Sequence, residues 1–151
     1  MKLLSAGILA YRKHSGIVEF FLVHPGGPFF AKKELGVWTV PKGLVEGEDE
    51  LLATAKREFL EETGFEVQGN FIDLGHIVQK GGKKVYCFGV EFDLDSSAIK
   101  SNTFEMQWPP GSGKISSFPE IDRGEWLDLK TAKEKINPQQ AELLDRLLQL
   151  L

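Results

Sequence analysis

A chain of 151 residues with 42% hydrophobic and 26% charged residues has the composition of a globular protein and is long enough to bury a core of its own. The net charge of −4 argues against a broad nucleic-acid-binding surface, while leaving room for a local basic pocket. The one cysteine, Cys87, excludes an intrachain disulfide framework and, inside the apolar run VYCFGV, reads as a buried strand residue.

The N-terminal stretch MKLLSAGILAYRK has too short an apolar run for a secretory leader, and no run reaches membrane-spanning length. One soluble cytoplasmic domain over residues 1–151 is the expectation. Residues 3–11 and 18–24 predict strands around a KHSG turn. PGGPFFAKKELG, residues 25–36, reads as a loop carrying Phe29, Phe30, Lys32 and Lys33. VWTVPKG follows as an extended piece, because the residue before a proline avoids the helical region. Residues 49–63 predict a helix with an apolar stripe of Leu52, Ala55 and Phe59, ended by Gly64 in a left-handed cap that turns Phe65 back toward Leu60. Residues 71–79 and 84–94 predict a hairpin across KGGKK, and residues 95–120 an irregular stretch. EWLDL reads as a strand or strand end and TAKEKI as a helix. A last helix starts with Asn137 as its cap and Pro138 at its first position. Strands mixed with a few helices predict an α/β fold, a mixed sheet with helices on both faces.

The chemistry concentrates in KREFLEETGF, residues 56–65. Glu58, Glu61 and Glu62 fall within about 100° of one another on the predicted helix. Like charges at these spacings destabilise a helix by about 0.2–0.5 kcal/mol per pair. The helix C-terminus, which Gly64 marks, disfavours acids a second time. A divalent cation held by the carboxylates reverses both penalties, and hard cations such as Mg²⁺ take carboxylates together with substrate phosphates. A solvated acidic face is the competing reading of the spacing alone.

The longer segment GLVEGEDELLATAKREFLEETGF, Gly43 to Phe65, resembles the signature of the Nudix hydrolases. Gly43, Arg57, Glu58, Phe59, Glu61, Glu62, Gly64 and Phe65 match in register. GVWTVPKG before it and the Glu120–Trp126 spacing after it extend the resemblance over most of the chain. It implies a Nudix-type α/β/α sandwich. The activity it implies is hydrolysis of nucleoside diphosphate-linked compounds with Mg²⁺ or Mn²⁺, by attack of water on phosphorus. Glu58, Glu61 and Glu62 are then metal ligands, with the Gly43 carbonyl beside them. Glu58 is also a possible base, and Arg57 holds a carboxylate in place. The first acidic slot is filled by Asp49 in the gapless register or by Glu48 next to it, and either could pair with Arg57. A further acid is expected beyond the hairpin, Glu120 ahead of Glu105.

The substrate is less legible. Phe29, Phe30, Trp38, Tyr86 and Trp108 could stack on a base, although core packing competes for each, Trp38 above all. Lys32, Lys33, Lys42 and Lys83 could meet phosphates, and Lys42, beside the signature segment, leads them. The proline of the ADP-ribose pyrophosphatases is replaced by Lys80, and the tail motif of the NADH-specific enzymes is absent. The lead-in WTVPKG and Tyr86 resemble features of the diadenosine tetraphosphate hydrolases. The substrate expected is therefore a dinucleoside polyphosphate, with nucleoside triphosphates as the alternative. A nucleotide-binding module without turnover is the non-enzymatic reading. The expected partner is a small nucleotide, with no nucleic acid and no membrane, acting on a monomer or homodimer.

Overall fold

The computed structural model describes residues 3–151. Strands β1 (Leu4–His14) and β2 (Ile17–Pro25) form a hairpin. Ser15 and Gly16 both take positive φ, 52° and 79°, the requirement of a tight two-residue turn matched to strand twist. The short β3 (Lys42–Leu44) pairs antiparallel with the first half of β1 and leads to helix α1 (Leu51–Thr63). β4 (Ile72–Val78) and β5 (Lys84–Glu91) form a second hairpin, and β5 runs parallel to β1. β6 (Thr103–Gln107) and β7 (Ile115–Pro119) make a separate two-stranded sheet. β8 (Ile121–Leu127) returns beside β2, followed by α2 (Leu129–Lys135) and α3 (Ala141–Gln149). The main sheet runs β4-β5-β1-β2-β8, with β3 on β1, and it is mixed as expected.

Residues of β1 alternate between two cores. Ala6, Ile8 and Ala10 face Ala55 and Phe59 of α1, together with Phe21 and Val23. Leu9 and Tyr11 face the other side, against Trp38, Ala132 of α2 and Leu143, Leu144 and Leu147 of α3. Cys87 is buried in this second core, where loss of solvent pushes its thiol up to about 12. Trp38 is fully buried and donates to Glu34 from its indole nitrogen, a packing role.

Four details depart from expectation. The stretch 95–120 is not irregular: it holds a short 3-10 turn at Ser96–Ala98 and the β6–β7 hairpin, whose Phe104 and Phe118 stack across the strands. Helix α1 starts at Leu51, not residue 49. Its cap Gly64 has φ 81° and donates to the Leu60 carbonyl, yet Phe65 packs into the α1-side core and leaves Leu60 exposed. Asn137 does cap the C-terminal element by accepting from the Gln139 N–H, but that first turn, Pro138–Gln140, is 3-10 and α3 follows it.

Candidate functional site

Gly43 sits on β3 directly opposite Ala6, on the face covered by α1. A Cβ there would overlap the Glu58 carboxylate, so only glycine leaves the space that this side chain fills. Glu62 follows one turn later toward Lys42 and is buried at 7% exposure. No basic residue occupies the last turn of α1, so the helix C-terminus itself carries no cation beside the acids.

Backbone hydrogen bonds bring a further acid to this end of the helix. The Asn102 N–H donates to the Glu61 carbonyl, the Glu120 N–H to the Asn102 carbonyl, and the Gly26 N–H to the Glu120 carbonyl, each at 2.8 Å. This relay ties the last turn of α1 to the β7–β8 junction and to the start of the loop after β2. Gly26 is required at its end, because a Cβ would overlap the Pro119 carbonyl.

The electrostatics show that the acids share one environment. Burial raises Glu58, with Glu61 and Glu120 adding to the effect and Arg57 opposing it. Burial pushes Glu62 up to about 8; Lys42 opposes this with its charge and main chain, while Glu58 and Glu120 reinforce it. Burial and Glu61 raise Glu120. Carboxyls held above their ordinary range by burial and by one another favour either a proton or a cation. Among the described residues, no three acidic, histidine or cysteine side chains stand close enough as placed to hold an ion between them. The donor set nevertheless fits a hard divalent ion: it is all oxygen, it converges on one helix end, and its carboxyls outnumber the cations Arg57 and Lys42 beside them.

Of the expected residues, Gly43, Lys42, Glu58, Glu61, Glu62 and Glu120 come together. Arg57 lies beside them, with its guanidinium nitrogens 3.8 Å from Glu58 and 3.7 Å from Glu61; one nitrogen, Nη2, is buried without a hydrogen-bond partner. Glu48 and Asp49 stand exposed before α1, and Arg57 pairs with Glu58 and Glu61 instead of with either, because the helix starts after both acids. Glu105 is exposed on β6 and acts on none of the raised acids.

Tyr86 pairs with Ala6 from the β5 side, in the same row as Gly43 and on the same face. Two strand spacings separate it from Gly43, roughly 10 Å. It is half-buried against His76, with ring centroids 5.1 Å apart. Phe30 and Lys33 lie on the loop that leaves Glu120, with the Lys33 ammonium 5.7 Å from the Phe30 ring centroid. What the sequence reading missed is the β6–β7 hairpin beside this loop, whose Trp108 meets Phe29 edge-on at 5.5 Å. The alternation of Phe104, Met106 and Trp108 was the available signal.

An acid-lined helix end stands against a glycine, on a mixed sheet between helical layers, and its oxygen donors suit a divalent ion. The NUDIX domain family matches residues 1–147, and the chain belongs to the Nudix family, as a pyrophosphohydrolase. Among solved structures, an Ap4A hydrolase of C. elegans in a binary complex superposes with a TM-score of 0.66 at 22% identity, covering 98% of this chain and 96% of that one. The NUDIX domain of Shewanella oneidensis NrtR, complexed with ADP ribose, gives 0.65 at 16% identity over 98% and 89%. A MutT protein from Methanosarcina mazei Go1 gives 0.64 at 18% over 99% and 94%. At these identities the likeness is one of fold. No curated protein matches the chain in sequence. No helix among the described residues is long and apolar enough to cross a membrane.

Proposed function

We propose that the chain hydrolyses dinucleoside polyphosphates such as diadenosine tetraphosphate, with Mg²⁺ or Mn²⁺, giving ATP and AMP. The observation that carries the substrate is the placement of aromatic side chains on both flanks of the acidic cluster. By strand order, Tyr86 lies on the β5 side of β1, while Glu120 and the loop bearing Phe29 and Phe30 lie on the β2–β8 side. A substrate with a base at each end of a polyphosphate suits two such platforms, and stacking on one is worth about 1–3 kcal/mol. The C. elegans structure that superposes on the chain is that of an Ap4A hydrolase, which agrees with this reading.

Glu58, Glu61 and Glu62, with the Gly43 carbonyl, would hold the ion. Bound there, it polarises the phosphoryl oxygens and neutralises charge on the leaving group. Glu120 accepts a proton from the attacking water; burial and the Glu61 charge raise its carboxyl and so its basicity. Arg57 holds Glu58 and Glu61 on the helix face, and Lys42 and Lys33 meet phosphate oxygens. A side-by-side measurement of kcat/KM for diadenosine tetraphosphate, dGTP, ATP and ADP-ribose with saturating Mg²⁺ tests the proposal. The dinucleotide is expected to lead, and a clear mononucleotide preference overturns the substrate.

A further inference from the structure

His24, near the end of β2, has no exposed surface. Its Nδ1 is 2.7 Å from the Asp122 carboxylate and its Nε2 is 2.7 Å from the Lys33 carbonyl oxygen. A carbonyl only accepts, so Nε2 carries a hydrogen. Arg123 Nε stands 3.7 Å from the same Asp122 oxygen. The buried ring is thus clamped between a side-chain carboxyl and a main-chain carbonyl. Trp38 meets the imidazole ring at 5.2 Å, Arg123 and Lys135 lie over the Trp38 indole, and Glu34 ties Arg123 to Trp38.

Asp122 reaches His24 through a bulge. The β2–β8 register passes from His24↔Arg123 to Pro25↔Ile121, leaving Asp122 as the extra residue on β8. Bulges of this kind re-aim a side chain and recur beside active sites. The loop after β2 is then pinned twice to the same short segment. Its first residue, Gly26, donates to the Glu120 carbonyl, and Lys33 accepts from His24, which is held by Asp122.

We infer that His24 is a positioning residue: through Asp122 and the Lys33 carbonyl it fixes the loop bearing Phe29, Phe30 and Lys33 against Glu120. This rests on the proposed hydrolase reading, in which that loop binds substrate. Asp122→Ala is the main variant, because Asp122 is partly exposed and truncation removes the group that holds His24 Nδ1. Amide resonances of residues 27–35, recorded without substrate, should shift in this variant. Loss of one hydrogen bond of the clamp is expected to raise KM for diadenosine tetraphosphate about three- to tenfold. The kcat and the Mg²⁺ half-saturation should stay near wild type. His24→Gln, checked for folding by circular dichroism, should raise KM in the same way. Unmoved amide resonances of residues 27–35, an unmoved KM in Asp122→Ala, or a parallel fall in kcat and thermal stability would each overturn the inference. If the wild type cleaves no phosphoanhydride, the hydrolase reading fails on its own. The clamp then stands or falls on whether amide resonances of residues 27–35 shift in Asp122→Ala.

Discussion

At the scale of single residues, Glu62 shows how an unfavourable placement becomes useful. Its folded-state pKa, about 8 against an ordinary 4.5, means that the metal-free folded protein binds a proton which the unfolded chain has already released between those values. Stability therefore falls as pH rises through this window. Glu62→Gln removes the penalty. Without metal its Tm should exceed the wild-type value by at least about 3 °C at pH 8, with the gain vanishing below about pH 4.5. Calorimetry across that range in chelator checks the sign. The same variant should lose at least about a hundredfold in kcat with Mg²⁺, because a ligand carboxylate is gone. Near-normal turnover would remove Glu62 from the site. Glu120 and Glu105 separate on position: one is half-buried among the raised acids, the other exposed on β6. Glu120→Gln should therefore cost more kcat than Glu105→Gln under saturating Mg²⁺, and the reverse order would reassign the base.

At the scale of elements, α1 is where sequence and structure agree best, and the reasons are local. The stripe of Ala55 and Phe59 is buried as its spacing requires, and the glycine cap appears at Gly64. Such features depend on neighbours within a few residues, which a linear reading contains. Gly64→Ala should destabilise the protein by about 1 kcal/mol or more, from the left-handed backbone alone. Its Cβ would also stand 3.1 Å from the Lys100 carbonyl. A denaturant midpoint that does not move would show that the cap contributes nothing. The β6–β7 hairpin was hidden for the opposite reason. Its strands are short, its tip is long, and half of each strand is exposed, so the alternation of Phe104, Met106 and Trp108 is diluted by the Ser, Gly and Pro around it. What recruits Glu120 is a relay of main-chain bonds through Asn102, and main-chain bonds leave no mark on residue type. Arg57 pairs with neither Glu48 nor Asp49: both stand exposed ahead of α1, and along the helix Arg57 is beyond their reach and lies beside Glu58 and Glu61.

At the scale of the whole molecule, the question is how a chain with a net charge of −4 takes a highly anionic substrate. The acids are gathered at one helix end with Lys42 beside them, and on the proposed reading a cation held there would invert their sign toward phosphate. On the proposed reading, the sheet then sets the distance between two base platforms. Tyr86 sits two strands from Gly43 in one row, and the loop bearing Phe29 and Phe30 leaves from Glu120 on the opposite flank. A mononucleotide can occupy one platform, whereas a dinucleoside polyphosphate can occupy both with its phosphates over the acids. Tyr86→Ala should accordingly lower kcat/KM for diadenosine tetraphosphate by roughly ten- to a hundredfold, as loss of one stacking contact predicts. Its effect on ATP should be smaller, and the Mg²⁺ dependence should be unchanged because Tyr86 touches none of the carboxylates. Hydrolysis in H₂¹⁸O should place the label in AMP, consistent with attack at the phosphorus nearest one nucleoside. Label confined to ATP would relocate the attack, and equal losses on both substrates would remove Tyr86 as a base platform while leaving the acidic site in place.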